Sequence, residues 1–166
     1  MTTAIERTVA DRTAAVLDTQ LRILSRREPL TVPPKTSLID CVRAIKRSGV
    51  GDSVLVVTAG GHLVGVLTER DIFAHLVGTG QDLDQPVETL LVTEPRTLRL
   101  DQTVRDALDL MKDGRYRNVP LLDDEARLAG IVRQHDLIRF LAESFPEEVL
   151  NLPPRPREAA QEAEGA

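Results

Sequence analysis

The 166-residue chain has one cysteine, one tyrosine, three phenylalanines and no tryptophan. Each scarcity excludes something. A single thiol, Cys41, cannot build a disulfide framework or a thiolate zinc site. The histidines, His62, His75 and His135, stand far apart and show no metal-ligand spacing, so no metal site is assigned. No run approaches the roughly 20 apolar residues that a membrane span needs. The residues after Met1, Thr-Thr-Ala-Ile-Glu-Arg, lack the apolar core of a secretory signal. The expectation is a protein of the reduced, cytoplasmic compartment with no membrane partner. A net charge of −5 and 2% aromatic residues also weigh against a nucleic-acid partner, which wants basic stripes or stacking platforms. No nucleophile and base stand in a readable pair, so no catalytic residue is assigned and an enzyme is not expected.

What the chain does have is aliphatic, within a hydrophobic content of 42%. Its length suits one compact domain, or two small units sharing a core of Val, Leu, Ile and Ala. The chain also repeats itself. Two segments match at an offset of 66, as Asp40 against Asp106, which becomes 65 after one extra residue near Gly49–Asp52, as Asp71 against Asp136. Thr31-Val32 meets Thr97-Leu98, Lys46 meets Lys112, and Leu63-Val64-Gly65-Val66 meets Leu128-Ala129-Gly130-Ile131. Upstream, Pro29 meets Pro95 and Leu24 meets Leu90. Two copies are too few for a solenoid, so pairing about a pseudo-twofold axis is the natural way to bury both apolar faces.

Each copy reads as β-α-β-β-α. In the first, an extended Leu30–Val32 stops at Pro33-Pro34. Ser37–Ser48 carries Leu38, Cys41, Val42 and Ile45 at helical spacing, with Thr36 or Ser37 as cap. Val54-Leu55-Val56-Val57 is an unbroken apolar run, the pattern of a strand buried on both faces. A turn at Ala59–His62, a strand at Leu63–Leu67 and a short helix at Glu69–Val77 complete the unit. The second copy gives a helix at Thr103–Asp113, strands at Val119–Leu122 and Leu128–Val132 around a turn, and a helix at Gln134–Ser144. One helical turn is expected at Val87–Leu91 in the linker.

The domain plan is therefore residues 1–29 as an N-terminal amphipathic helix, 30–80 as repeat one, 81–150 as repeat two and 151–166 as a Pro/Glu-rich tail. The helix spans 3–27, with Ile5, Val9, Val16, Leu17, Leu21 and Leu24 at three- and four-residue spacings, and ends before Pro29. It either covers the core or serves a dimer or partner. The tail is extended and disorder-prone in composition, and its Pro153-x-x-Pro156 is weak evidence for a proline-reading partner.

The informative tetrad is Thr68-Glu69-Arg70-Asp71, where a strand feeds a helix N-terminus. Free N–H groups and the positive end of the dipole favour an anion there. Thr68 and Arg70 suit phosphate, whereas the Asp71 carboxylate suits the hydroxyl pair of a ribose. Together they ask for a nucleotide. The same tetrad is also a capping box, with Thr68 as N-cap and Asp71 reaching back. In the second copy, Arg133-Gln134-His135-Asp136 has lost the hydroxyl and kept the acid, which a first-turn dipole favours anyway. Arg115-Tyr116-Arg117-Asn118-Val119-Pro120 could be a solvated loop, or a positive wall facing phosphate.

The β-α-β-β-α repeat, Gly65–Asp71 and Tyr116–Pro120 resemble a tandem pair of cystathionine-β-synthase (CBS) domains, a Bateman module, from about Leu21 to Ser144. The segment Phe145–Pro154 is similar to that of stand-alone bacterial CBS pairs. The resemblance implies an α/β (α+β) fold: two CBS repeats about a pseudo-twofold axis, an extra N-terminal helix and an extended tail. It implies a regulatory, energy-sensing module with no required cofactor, whose ligand is AMP, ADP, ATP or S-adenosylmethionine. In such pairs Asp holds ribose, Thr or Ser holds phosphate and apolar side chains sandwich the adenine. The first cleft would carry Val66, Thr68, Arg70 and Asp71, completed by Tyr116, Arg117 and the Thr93–Arg96 segment. The second would carry Ile131, Arg133, His135 and Asp136, completed by Val50, Gly51, Asp52 and Ser25–Glu28. There Arg133 replaces the hydroxyl, Asp52 stands in the place of Asn118 and Gly51 in that of Arg117, so the Asp71 cleft ranks first. A homodimer is implied, pairing through Ile72, Phe73 and Leu76 with Leu137, Ile138 and Leu141. An unidentified regulated protein is the expected readout. The competing reading is a structural or interaction module with empty clefts.

Overall fold

The computed structural model describes residues 2–25, 28–49, 53–79, 82–112 and 116–146. Helix α1 (Thr2–Leu17) precedes the first unit, which runs β1 (Thr31–Val32), α2 (Leu38–Ser48), β2 (Ser53–Val57), β3 (Leu63–Thr68) and α3 (Glu69–Thr79). A short strand β4 (Val92–Thr93) leads to the second unit: β5 (Leu98–Arg99), α4 (Val104–Lys112), β6 (Asn118–Leu122), β7 (Leu128–Arg133) and α5 (Gln134–Ser144). The fold is mixed α/β, with the expected unit present twice. One sheet has the order β1-β2-β3-β4 and the other β5-β6-β7. The first strand of each unit is parallel to its neighbour and the hairpin is antiparallel.

The two hairpins share one register. Ser53 pairs with Thr68 and Leu55 with Val66, while Asn118 pairs with Arg133 and Pro120 with Ile131. Both registers slip near the turn, between Val56 and Val57 and between Leu121 and Leu122. Gly61 and Ala126 occupy matching turn positions with φ of 84° and 58°. Helices α2 and α4 turn Leu38, Cys41 and Ile45, and Val104, Ala107 and Met111, into the protein. Burial pushes the Cys41 thiol up to about 11, so it stays neutral and acts as a core side chain.

The two cores are built from exchanged parts. The first joins Val32, Leu38, Cys41, Val54, Val56 and Leu67 to Val87, with Leu90 and Leu91 packed against it. The second joins Leu98, Val104, Val119, Leu121, Val132 and Leu137 to Leu21 and Leu24. Each unit is thus completed by the segment that precedes the other. The hydrogen bonds repeat the exchange. Leu21 N donates to Gln102 O and Val104 N to Thr19 O, while Val87 N donates to Thr36 O and Leu38 N to Gln85 O. A bridge between Gln20 and Thr103 matches one between Ser37 and Pro86.

This exchange corrects the helix expected over 3–27. The helix stops at Leu17, and Leu21–Ile23 form a 3-10 turn instead. Apolar spacing alone continued the helix, but the backbone of Gln20–Arg22 finds its partners in the second unit. Within residues 9–15 of α1 every side chain but the half-buried Thr13 is exposed. Val9 is 45% exposed, and Arg12 reaches the Ser144 carbonyl and sits over the Phe145 ring at 5.3 Å. Two further positions differ from expectation. Ile72 and Leu137 are 4% and 1% exposed, so they belong to the cores and not to an outer face.

The strand faces turned away from each unit's helices are also buried. Ser53 is 7% exposed, Leu55 1% and Ile131 4%, yet none of them lies in either core. Asn118 Nδ2 donates to Ser53 Oγ at 3.2 Å and Leu128 N to Gly61 O at 2.9 Å, so the two hairpins face each other along a seam.

Truncating Leu21 tests the exchange, because it precedes the first unit in sequence but fills the second. Leu21→Ala is expected to cost about 2–5 kcal/mol, read as a lower urea midpoint by circular dichroism. An unchanged midpoint would contradict the packing.

Candidate ligand cleft between the repeats

The strand-to-helix corner at the end of β3 is closed by its own side chains. Thr68 Oγ donates to Asp71 Oδ2 at 2.6 Å, Thr68 N donates to the same oxygen at 3.0 Å, and Asp71 N donates to Thr68 Oγ at 3.2 Å. This is a reciprocal cap. At the corresponding corner, Arg133 N donates to Asp136 Oδ2 at 3.3 Å. The first helices of both units use the same device, Ser37 with Asp40 and Thr103 with Asp106. At α2 the Ser37 and Arg43 hydrogen bonds hold the Asp40 carboxyl below its usual range.

Capping does not exhaust Asp71. A carboxylate has two oxygens and about four acceptor positions. Both bonds that the Asp71 carboxylate accepts fall on Oδ2, and Oδ1 accepts no hydrogen bond from the described residues. The location of Asp71 distinguishes it from Asp106. β3 pairs on its outer side with β4, Gly65 against Thr93 and Val66 against Val92. Its inner neighbour β2 begins at Ser53, which pairs with Thr68 and receives the Asn118 bond from the other unit. Thr68 and Asp71 therefore stand where the seam, the linker strand and a helix N-terminus converge. Val66 shares the face of Thr68 and is half-exposed.

The remaining first-cleft residues divide. Arg70 is exposed one residue from Asp71. Arg117 is exposed, one residue from the Asn118–Ser53 bond, and its carbonyl accepts from Gln134 N at 2.8 Å. It thus lies against the start of α5 as well as the seam. Tyr116 packs on the core of the second unit, half-buried. In the second group, Ile131 is buried where Val66 is half-open, Arg133 and Asp136 are half-buried, and His135 Nε2 lies 2.8 Å from an Arg139 Nη2 on the same helix. Val50, with Gly51, Asp52 and Arg115, lies outside the described residues.

The strand register moves one comparison between the clefts. Ser53 and Asn118 hold the same place, opposite Thr68 and Arg133. The residue matching Arg117 is therefore Asp52, not Gly51, and the residue matching Asn118 is Ser53, not Asp52. The extra residue lies before the strand, so counting across the loop at the earlier offset shifted the match by one. The contrast becomes a reversal of charge, arginine against aspartate.

Sequence reading did not single out the contact between Ser53 and Asn118 or the strand at Val92–Thr93. Equivalence of Ser53 and Asn118 at the strand starts was the available signal for the first. The second had none, being two residues long. A groove of about 450 Å³ also opens between β1 and α2, lined by residues including Val32, Ala44, Asp40 and Arg47, away from both corners. It exists where the first unit has Ala44 and the second has Leu110 packed on its core. Among the described residues, no helix is long and apolar enough to cross a membrane.

The family model for the CBS domain matches residues 22–78 and 87–143. A protein of Methanopyrus kandleri, MK0525, is 28% identical over 130 residues, covering 76% of this chain and 66% of its own length. A 17.7 kDa protein of Acidianus ambivalens is 32% identical over 110 residues, covering 66% and 65%. The chain thus spans just under two thirds of these two relatives. Among solved structures, the CBS-domain protein ATU1752 of Agrobacterium tumefaciens is 28% identical with a TM-score of 0.64, over 72% of this chain and 96% of its own. PAE2072 of Pyrobaculum aerophilum, solved with AMP, shares the fold at 22% identity and a TM-score of 0.68, over 77% and 99%. So does the CBS pair of MJ0100, solved with 5′-methylthioadenosine and S-adenosylmethionine, at 22% and 0.67, over 75% and 97%.

Since Asp71 and Asp106 make the same cap, their removal should cost alike. Asp71→Ala and Asp106→Ala are each expected to lower the stability of the unliganded protein by about 0.5–2 kcal/mol in urea titrations. A much larger loss for Asp71→Ala would mean that it carries structural contacts beyond the cap.

Proposed function

The chain belongs to the family of CBS-domain proteins, with two copies in tandem, and on that premise we propose that it senses an adenosine-type ligand in the cleft at Asp71. CBS pairs are as a rule regulatory modules, not catalysts. The observation that carries the reading is the corner at Thr68–Asp71, which sets a hydroxyl, helix N–H groups and a carboxylate with a spare oxygen beside the seam between the units. The ribose diol suits Asp71 Oδ1. The phosphate suits the Thr68 hydroxyl and Arg70 at the start of α3, with Arg117 one residue from the seam at Asn118. Val66 offers an apolar wall to the base. PAE2072 holds AMP and MJ0100 holds S-adenosylmethionine within the same fold, which supports the ligand class.

The Asp136 cleft ranks second. It has Arg133 for the hydroxyl, Ile131 already buried, and Asp52 at the position matching Arg117. A carboxylate there repels phosphate.

The outer helices point to self-association. Phe73 and Val77 of α3 are 69% and 71% exposed, and Ile138 of α5 is 58% exposed. These side chains form the apolar face of a homodimer, without Ile72 and Leu137. A dimer that responds to ligand then acts on a partner protein that it regulates.

Asp71→Ala is expected to weaken binding of AMP, ATP or S-adenosylmethionine by about 10- to 150-fold in calorimetric titration, the loss of about 1.5–3 kcal/mol of charged hydrogen bonding. Asp136→Ala should cost less, and Asp106→Ala should leave affinity unchanged. A greater loss with Asp136→Ala reverses the ranking of the clefts. No heat with any of these ligands would favour a purely structural module.

Light scattering at micromolar concentration should give twice the chain mass, and Phe73→Glu should give the single mass. A monomeric wild-type protein would remove the dimer from the proposal.

A further inference from the structure

We infer that β4 is a strap whose docking on β3 is set by occupancy of the Asp71 cleft. The inference rests on the adenosine reading of that cleft and adds how the cleft is regulated. The connection between the two cores is short. Leu91 packs against the first core and Leu98 belongs to the second. Between them, Val92 and Thr93 pair with Val66 and Gly65. Both residues of the strap are exposed, so no apolar burial holds it down.

Two features bear on how tightly the strap docks. The first is a close approach. A Cβ built on Gly65 would lie 2.5 Å from the Val92 carbonyl oxygen and 2.6 Å from Leu91 Cγ. Only glycine lets the linker backbone lie this near β3. At the matching Gly130, the side chain of Ser25 fills that space and not a backbone carbonyl. The second is a strained turn. Glu94 follows the strap with φ of 55°, a left-handed conformation that costs a residue with a Cβ.

From Gly65 and Val66, β3 runs on to Thr68, so strap and cleft share one strand. A ligand held by Thr68 and Asp71 that also packs on Val66, the residue paired with Val92, favours the docked strap. By reciprocity, docking the strap favours the ligand. Because the strap joins the cores, its docking fixes how the second unit hangs from the first.

The test is amide hydrogen exchange across Val92–Glu94, with and without saturating AMP and, separately, S-adenosylmethionine. In the wild-type chain the bound ligand should slow exchange there about fivefold or more. Gly65→Ala should speed unliganded exchange and weaken ligand binding by a matching factor, since the two are linked. Where Gly65→Ala loses its circular dichroism, Glu94→Gly tests the same balance in the other direction. Removing the turn's steric cost should slow unliganded exchange and tighten binding. Calorimetric binding with no change in exchange at 92–94 overturns the strap and leaves the adenosine reading standing. So does faster exchange in Glu94→Gly. No binding of either ligand overturns the adenosine reading and the strap with it.

Discussion

A strand buried on both faces must be covered twice, and that requirement organises this molecule. Ser53 through Val56 are buried in succession. Val54 and Val56 meet their own helices, while Ser53 and Leu55 turn the other way. An isolated unit would leave that second face wet. Packing the hairpins face to face dries it, and the Asn118–Ser53 hydrogen bond satisfies the buried hydroxyl on the seam. The exchange of entry segments then makes the pairing obligatory. Burial of a Val or Leu side chain is worth about 1.5–3 kcal/mol. Withdrawing Leu21 and Leu24 from one core, or Val87 and Leu90 from the other, would remove much of the roughly 5–15 kcal/mol that a domain has. The two repeats are one folding unit that happens to be written twice.

The same symmetry clarifies what the capping aspartates do. Four helices start on an aspartate three residues into the turn, and each Asp accepts from the N-cap backbone or hydroxyl. Capping therefore explains why an acid stands at each of these positions, but not why one of them would meet a ligand. Place decides that. Asp40 and Asp106 begin helices that follow the short outer strands. Asp71 and Asp136 follow β3 and β7, the second strands of the two hairpins that face each other along the seam. A cap that occupies one carboxylate oxygen fixes the rotamer and leaves the other oxygen presented, so on the proposed reading the structural role pre-organises binding.

Most of the architecture was legible because it depends on local periodicity. The helical spacing of Leu38, Cys41 and Ile45 and the unbroken run at Val54–Val57 each report burial that their own element imposes. The errors fall where distant backbone decides. Nothing within residues 3–27 shows that Gln20–Arg22 will bond to Gln102, Leu100 and Thr103, so the helix was extended past Leu17. The one-residue shift at Asp52 arose because an insertion in a loop is invisible until the strands it joins are registered. Tyr116, given to the first cleft by the resemblance, packs half-buried on the second core, as Phe140 does, a contact that its place in the sequence does not announce. Ile72 and Leu137 were placed outside for want of a rule separating two adjacent apolar residues on one helix. Their neighbours Phe73 and Ile138 are the exposed ones.

Duplication supplies two equivalent corners, at Thr68–Asp71 and Arg133–Asp136, whose residues differ, and on the proposed reading the inequality has a mechanical consequence. Thr68 against Arg133, Arg117 against Asp52, and half-open Val66 against buried Ile131 all set the two corners apart. Equal ligands in equal clefts would load both sides of a pseudo-twofold axis alike and leave the units symmetrically placed. A ligand in one cleft loads one side only. On the proposed reading that side is also the one where a glycine lets backbone lie against backbone, at Gly65 and Val92, while its counterpart Gly130 meets the side chains of Ser25 and Leu121. A ligand shifts a conformational balance only by its difference in affinity for the two states. Such a difference requires contacts that exist in one arrangement and not in the other. A single cleft adjoining the linker meets this requirement, because moving the units changes the distance between Thr68 on β3 and the segment from Thr93 that leads into the second core.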